Sequence, residues 1–227
     1  MAHFDEVLRR YYDEQANVYD DMYSARALMR RGPVWRSEHE ALADAMAKAL
    51  SGRRVLEVAC GTGFWTEIVA KAARHVVAID VSEKMLAIAR KRKPPSANVE
   101  YTHGDAYALA EIPGEFDAGL ANFWFSHVPK SRIDEFLQGF HKKLGRDALV
   151  FMADNVYVPG IGGQLVTKRG IEDTFKLREG PDGSKYEVLK NYYNRDTLKR
   201  LFSPKTSDLK IHETKYFWRV KYMVRTR

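Results

Sequence analysis

The stretch from residue 53 to residue 66, RRVLEVACGTGFWT, most constrains how this chain can fold. A short β-forming run carries the acid Glu57, a Gly-Thr-Gly turn follows it, and an apolar stretch then opens a helix. This order of strand, tight turn and helix begins a βαβ unit. Gly61 and Gly63 supply the backbone freedom that a sharp turn needs, and they leave no side chain where a ligand would approach the main chain. A Gly-x-Gly alone is also compatible with an ordinary strand-to-helix turn, so the segments after it decide.

Strand and helix patterns alternate from this turn to about residue 154. The predicted strands are residues 55–59, 75–80, 99–105, 116–122 and 148–154, and the predicted helices are residues 64–73, a helix capped by Ser82, and residues 131–144. Strands separated by helices predict an α/β fold with a mostly parallel, doubly wound sheet.

The segments on either side of this region complete a single predicted domain, residues 1–227. Apolar residues at helical spacing near the N-terminus, and a second helical pattern from Pro33 to Gly52, predict a helical cover over residues 1–50. Residues 155–185 are too rich in glycine for a core element, and they predict a lid-like insertion over a ligand crevice or, alternatively, a mobile surface loop. A strand-like segment at 186–193, a helix at 194–202 and two strands within 209–224 follow, and these two strands give the sheet an antiparallel end.

Composition excludes several classes of protein. The 227 residues, 45% of them hydrophobic, suit one large α/β domain. No apolar run approaches the roughly 20 residues of a membrane span, and the N-terminus lacks a signal pattern, so we expect a cytoplasmic protein without a membrane partner. The single cysteine, Cys60, excludes a disulfide framework and a cysteine-based metal site, and no metal is predicted. The net charge of +7 is compatible with an ordinary basic surface, with acidic substrates or with nucleic acid.

Acids near the ends of the predicted strands point to an adenosine ligand. Ligands of an open α/β sheet bind at the carboxyl ends of its strands, where Asp80 can accept hydrogen bonds from both hydroxyls of a ribose. Asp105 can accept from an adenine amine, and the small Ala106 leaves its N–H available to a ring nitrogen. Thr66 stands where a dinucleotide fingerprint requires glycine, and no phosphate-binding Gly-Lys-Ser or Gly-Lys-Thr occurs. Glu57 faces an amine better than a phosphate, so the pattern favours adenosine joined to an amino-acid portion.

Four of these segments together resemble the successive motifs of class I S-adenosylmethionine-dependent methyltransferases. The segments are VLEVACGTG at 55–63, AIDVS at 78–82, GDA at 104–106 and FDAGLAN at 116–122, and the resemblance covers about residues 50–155. It implies a Rossmann-like seven-stranded sheet whose last strand is antiparallel. It also implies S-adenosyl-L-methionine as the cofactor. One departure is Ala59, where the family usually has glycine.

The resemblance also implies which residues hold the cofactor. Gly61 and Gly63 would pass under the methionine part, and Met85 would pack near adenine. Asn122 would offer its backbone to the amino group. The other predicted cofactor-binding residues are Tyr19, as an aromatic cover over the sulfonium, and Glu57, Ala59, Asp80, Asp105 and Ala106.

Methyl transfer from a cationic sulfur is an in-line displacement, which mainly requires alignment and exclusion of water. Alignment alone can supply roughly 7–11 kcal/mol, and a base is needed only when the acceptor holds its proton firmly. His127, after the fourth strand, is the candidate catalytic base, with a structural histidine bonded to a carbonyl as the alternative. The candidate substrate residues are Tyr12, Trp124 and Asp154, each of which could instead have a structural role.

These patterns predict a methyltransferase that acts on a small molecule at N, O, S or C, as a monomer or a homodimer. The alternative is an RNA or DNA methyltransferase, which the net charge and the basic Lys215, Arg219 and Lys221 would suit. Against it, the fourth strand ends in Asn-Phe-Trp-Phe and lacks the Asn/Asp-Pro-Pro-Tyr/Phe of base-amino enzymes. A non-enzymatic binder on the same scaffold is the third hypothesis.

Overall fold

The computed structural model describes residues 2–24, 30–92 and 97–225. The α-helices are α1 (Ala2–Gln15), α2 (Gly32–Leu50), α3 (Phe64–Ala70), α4 (Glu83–Ala89), α5 (Ile133–Leu144) and α6 (Arg195–Phe202). The strands are β1 (Arg54–Val58), β2 (His75–Asp80), β3 (Val99–His103), β4 (Ala118–Asn122), β5 (Leu149–Asn155), β6 (Leu165–Thr167), β7 (Thr174–Glu179), β8 (Lys185–Leu189), β9 (Thr206–Glu213) and β10 (Phe217–Val224). None of the helices in these ranges has the length and apolar character of a membrane crossing.

The main sheet has seven strands in the order β3-β2-β1-β4-β5-β10-β9. The first five strands in this order pair in parallel, and β10 is antiparallel to both of its neighbours. The predicted Rossmann-like sheet with an antiparallel last strand is therefore confirmed. The order reverses at β1, which lies between β2 and β4, so a crevice opens beyond the carboxyl ends of these three strands.

The parallel strands are buried on both faces because helices cover both sides of the sheet. Val55 and its neighbours on one face pack against α2 and α3, whereas Leu56 and Val58 on the other face pack against α5 and α6. Phe136 and Phe140 of α5 and Phe202 of α6 are fully buried in this second layer. The core therefore fixes β1 from both sides and holds the turn after it in place.

The glycine-rich insertion contains strands, which corrects the prediction that residues 155–185 hold no core element. Strands β6, β7 and β8 form a second, antiparallel sheet, in which Phe175 and Lys176 are buried. The prediction was wrong because the glycines stand in the turns around the strands. Gly163 is one example, since its φ is +87° and a Cβ there would lie 2.2 Å from the carbonyl oxygen of Leu177.

The second sheet supports the N-terminal helix. Leu8 of α1 packs against Tyr186 and Val188 of β8, and Glu14 accepts a hydrogen bond from the Tyr186 hydroxyl. Gln15 donates to the carbonyl of Glu179 at 3.1 Å. Helix α1 and the second sheet therefore form one packed unit.

Alanine substitution of two glycines, one packed against α5 and one inside it, should change the free energy of unfolding in opposite directions. At Gly119 of β4, a Cβ would lie 2.5 Å from Leu144 Cδ1 and 2.6 Å from Phe140 Cζ. We expect Gly119→Ala to lower the free energy of unfolding by about 1–3 kcal/mol, because the buried side chains must move. Gly139 lies inside α5, and a Cβ on it would have nothing within 4 Å. Gly139→Ala should raise the free energy of unfolding by about 0.5–1 kcal/mol. Urea unfolding of both variants checks the pair, and a stable Gly119→Ala variant would contradict the packing described.

Candidate active site

A cavity of about 480 Å³ lies at the carboxyl ends of the central parallel strands and under α1. Most of the predicted site residues line it. They are Tyr12, Tyr19, Ala59, Gly61, Asp80, Met85, Asp105, Ala106, Asn122, Trp124 and His127. The fold therefore brings residues from the N-terminal cover and from four strand ends to one place.

The turn after β1 has a left-handed backbone along much of its length. Gly61 has a φ of +57° and Gly63 a φ of +76°, and Ala59 shares this conformation with a φ of +53°. A residue with a Cβ in this region costs on the order of 1 kcal/mol or more. The departure from glycine at position 59 therefore introduces strain beside the cavity. Phe123, with a φ of +57° after β4, is a second strained residue in the lining.

Asp80 ties the ends of β1 and β2 together. One carboxylate oxygen accepts from the N–H of Gly61 at 2.8 Å, and the other accepts from the N–H of Ser82 at 2.8 Å. Burial raises the pKa of Asp80, and the two N–H donors oppose that rise. Each carboxylate oxygen has a further lone pair, so the group can still accept from a ligand in the cavity.

The loop after β3 forms the next part of the wall. Asp105 is exposed, and its Oδ1 accepts from the N–H of Tyr107 at 2.8 Å, which fixes the turn. Met85 and Ala106 are buried beside it. Sequence reasoning missed Tyr107 and Arg132, which also line the cavity, with the guanidinium carbon of Arg132 3.5 Å from the centre of the Tyr107 ring. No sequence signal joins these two residues, because they meet only through the packing of α5.

Three predicted site residues lie outside the cavity lining. They are Glu57, Gly63 and Asp154. Gly63 is required for packing, since a Cβ there would lie 2.6 Å from the Tyr101 hydroxyl.

Glu57 is enclosed within β1, beneath the turn, with 2% of its surface exposed. Burial raises its pKa to about 8, and the neighbouring charge of Asp80 raises it too. Among the described residues its Oε2 has no hydrogen-bond partner, and the same is true of Asn122 Oδ1 in the cavity wall. Buried polar atoms without partners are uncommon, and here two of them lie at the ends of the adjacent strands β1 and β4.

Asp154 does not reach the cavity, in contrast to its predicted contact with substrate. It is fully buried, with Oδ1 2.9 Å from Lys190 Nζ and Oδ2 accepting from the N–H of Ser126 at 3.0 Å. Although burial opposes ionisation, the ammonium of Lys190 holds the pKa of Asp154 below its usual range. Asp154 therefore fixes the 3₁₀ turn Phe125–His127 that carries His127.

His127 lies between the cavity and β8, and only 6% of its surface is exposed. Its Nδ1 is 2.7 Å from the carbonyl oxygen of Leu189, so Nδ1 carries the proton, and Nε2 accepts from the Tyr12 hydroxyl at 3.0 Å. Burial, together with the positive charge of Lys190, lowers the pKa of His127 to about 3. A neutral imidazole whose two nitrogens both form hydrogen bonds within the protein does not suit the role of a proton acceptor. The geometry fits the alternative, a histidine bonded to a carbonyl.

Acidic side chains attach the N-terminal cover to the loops around the cavity. Asp13 accepts from the hydroxyl of Ser82, and Asp20 accepts from Thr62 Oγ1 at 2.6 Å. Asp20 also pairs with Arg92, which donates to the carbonyl of Thr62 at 2.6 Å. The cover is therefore bonded directly to the turn after β1 and to the segment after β2.

The insertion contributes no residue to the cavity lining among those described, so a lid made by residues 155–185 remains a prediction. Cys60 also lines the cavity, and burial raises the pKa of its thiol well above the usual range. Within the described ranges, no group of three or more His, Cys, Asp or Glu is arranged to hold a metal ion.

The buried histidine should make stability depend on pH. The pKa of His127 is lower in the folded protein, about 3, than the value of about 6.5 in an unfolded chain, so protons bind the unfolded chain preferentially. This contribution to stability is complete above pH 6.5 and is lost as pH falls from 6.5 towards 3. We expect a loss of roughly 2 kcal/mol from this residue between pH 7 and pH 5.

Urea unfolding at the two pH values, with His127→Gln beside the unchanged protein, measures this loss. The variant should retain a weaker dependence, since His39 and His141 also have pKa values lowered to about 4 by burial. An equal drop in both proteins would contradict the environment described for His127.

Comparisons with known proteins agree with this geometry. Residues 55–147 match the family model described as a methyltransferase domain. A demethylmenaquinone methyltransferase of Clavibacter sepedonicus is 34% identical over 132 residues, which are 56% of this chain and 51% of that protein. A ubiquinone biosynthesis O-methyltransferase of Aromatoleum aromaticum is 42% identical over 82 residues, or 35% of each chain. The chain thus spans about half the length, or less, of these curated relatives.

Solved structures match over a greater part of the chain. The structure described as a DhpI-SAH complex aligns over 100% of both chains with a TM-score of 0.75 at 24% identity. The DhpI-SAM-HEP complex aligns over 96% of this chain and 97% of that one, also with a TM-score of 0.75, at 23% identity. At these identities the likeness concerns the fold, and it includes the N-terminal cover and the second sheet.

Proposed function

We propose that this chain, in which residues 55–147 match a methyltransferase domain, is a class I S-adenosylmethionine-dependent enzyme that transfers a methyl group from S-adenosyl-L-methionine to a small-molecule acceptor. The observation that carries the proposal is the cavity at the carboxyl ends of β1, β2 and β4, lined by the glycine turn and by Asp80. The match of residues 55–147 to methyltransferase domains supports it.

The residues present fit this cofactor. A cavity of about 480 Å³ falls within the roughly 300–1,000 Å³ typical of small-molecule sites. The turn lacks the third glycine of a dinucleotide fingerprint, because Thr66 stands at that position. The unpaired Asn122 Oδ1 in the cavity wall offers an acceptor that suits the ammonium of a methionine portion.

The proposed contacts follow the cavity wall. Asp80 would accept from the ribose hydroxyls, and Met85, Asp105 and Ala106 would enclose adenine. Gly61, Ala59 and Asn122 would lie along the methionine portion, with Tyr19 as part of the cover. Glu57 would act through the strand end that it occupies, because it does not line the cavity.

The bound cofactor would supply an electrophilic methyl group on a cationic sulfur. The chain's own residues would align the acceptor and exclude water, which are the main requirements of the displacement. Tyr12 donates a hydrogen bond to His127 Nε2, which fixes the position of its hydroxyl in the cavity wall. There the hydroxyl would contact the O–H or N–H group of the methyl acceptor. His127 is therefore proposed as a positioning residue that acts through Tyr12.

Small molecules are the proposed acceptors for two reasons. The relatives named above are methyltransferases of menaquinone and ubiquinone biosynthesis, and the cover bonded to Ser82 and Thr62 limits access to the cavity. No specific observation favours the nucleic-acid alternative. Of the basic residues considered for it, Arg219 donates to the carbonyl of Ala41 at 3.3 Å, and neither it nor Lys215 nor Lys221 lines the cavity.

Calorimetry with S-adenosyl-L-methionine and, separately, with NAD tests the cofactor. We expect the unchanged chain to bind the first, and Asp80→Asn to weaken that binding more than tenfold, because the carboxylate loses its charge and part of its accepting capacity.

Asp117→Asn is the matched control. Asp117 also accepts from a backbone N–H, that of Arg54 at 2.8 Å, but at the opposite end of β1. Its variant should bind like the unchanged chain. Binding of NAD alone would overturn the proposed function, and unchanged affinity in Asp80→Asn would remove the ribose contact.

A further inference from the structure

The second sheet presents three cationic side chains on one face. Lys176 and Arg178 are two residues apart on β7, so they point to the same side of the sheet. The strand register pairs Arg178 with Tyr186 and Lys176 with Val188, and the N–H of Lys190 bonds to the carbonyl of Thr174. Tyr186 and Val188 pack against α1, so the three cations lie on the inner face, towards the N-terminal cover.

These three cations have one carboxylate ion-paired with them in the part of the chain that the structure describes. Lys190 Nζ lies 2.9 Å from Asp154 Oδ1 and 2.7 Å from Ser126 Oγ. Lys176 Nζ donates to two neutral carbonyl oxygens, that of Gly163 at 2.7 Å and that of Ile161 at 3.3 Å. Arg178 is half-buried and has no ion pair within the described ranges. The three cations therefore carry more positive charge than their one ion-paired carboxylate balances.

The charge of Arg178 acts on the titration of several groups. Burial lowers the pKa of Lys176 and of Lys190, and the charge of Arg178 lowers both further. Burial lowers the pKa of His127 and raises the pKa values of Tyr11 and Tyr192, and the charge of Arg178 acts to lower all three. Like charges brought together away from water are costly unless an anion joins them.

The backbone at Gly162 leaves space for the side chain of Arg178. Gly162 has a φ of +74°, and a Cβ on it would lie 3.2 Å from Arg178 Nη1. The guanidinium therefore lies against bare main chain, and its planar group of donors suits a two-oxygen contact with a carboxylate or a phosphate-type group.

We propose that this inner face binds an oxyanion, a carboxylate or phosphate-type group, carried by the methyl acceptor, with Arg178 as its main ligand. This inference rests on the proposed function. His127 connects the two sites, since it lines the cavity and is bonded to Leu189 of β8. An acceptor whose anionic group lies at Arg178 would extend past Tyr12 and His127 into the cavity. Lys176 and Lys190, on either side, would add to the positive electrostatic potential at this position.

Anion binding can be measured without knowing the acceptor. The chain is saturated with S-adenosylhomocysteine and titrated with inorganic phosphate and, separately, with acetate, at constant ionic strength and chloride. We expect saturable binding of at least one of the two, at one site per chain. Tighter binding of phosphate would indicate a phosphate-type group, and tighter binding of acetate a carboxylate.

Arg178→Gln should weaken this binding at least tenfold. Lys185→Gln is the matched control, because it removes one positive charge from an exposed residue that points to the opposite face of the same sheet. It should change the affinity by less than twofold. Equal losses in the two variants, or an Arg178→Gln variant that binds like the unchanged chain, would overturn the site.

Thermal unfolding gives a second test, whose expected result differs from the result for an arginine with only a structural role. Without added anion, Arg178→Gln should unfold at a higher temperature than the unchanged chain, because repulsion with Lys176 and Lys190 is relieved. Phosphate should raise the unfolding temperature of the unchanged chain more than that of the variant. A variant that is destabilised and gains the same protection from phosphate would also overturn the proposal.

The titration with S-adenosylhomocysteine separates this inference from the proposed function. Failure of the unchanged chain to bind S-adenosylhomocysteine would count against methyl transfer, and the oxyanion site would then be judged from phosphate and acetate titrations of the chain alone. Normal binding of S-adenosylhomocysteine without anion binding would overturn the oxyanion site and leave the proposed function standing.

Discussion

The carboxylate of Asp80 is the interaction on which the rest of the site depends. It accepts from Gly61 after β1 and from Ser82 after β2, so one side chain holds two strand ends at a fixed separation. The turn between residues 59 and 63 has a left-handed backbone at several positions, including Ala59, and such a backbone persists only where its surroundings hold it. The buried β1 supplies that support from below, since helices pack on both of its faces.

Above this turn, the part of the cover that precedes α2 is held by polar contacts together with one small apolar contact. Asp13 and Asp20 bond to Ser82, Thr62 and Arg92, and Leu8 packs on the second sheet. Polar contacts that are partly exposed to water contribute less stability each than buried apolar area does. The cover is therefore the part of the wall that can open at the lowest cost, which suits a site that must admit a cofactor and an acceptor in turn.

A buried polar group links the second sheet to the cavity. Asp154 and Lys190 pair inside the protein and hold Ser126, and the next residue, His127, is bonded to Leu189 and to Tyr12. Breaking a buried ion pair by removing one partner is strongly destabilising, because the other charge remains buried. The pair therefore keeps the 3₁₀ turn after β4 in one position. This is also why His127 is neutral, since burial and the adjacent ammonium both oppose its protonation.

The amino-acid pattern was enough to predict the order of strands and helices from β1 to β5, the turn at Gly61 and the place of Asp80 and Asp105, because these depend on local periodicity and on the residues at the end of each strand. It did not reveal the second sheet, because β6, β7 and β8 are short and the glycines that suggested a loop mark the turns between them. The packing of the folded chain was needed to show that Glu57 and Asp154 are enclosed, that both ring nitrogens of His127 are hydrogen-bonded, and that Arg178 shares a sheet face with Lys176 and Lys190. A side chain's burial and its charged neighbours set its chemistry, and both depend on which segments pack together.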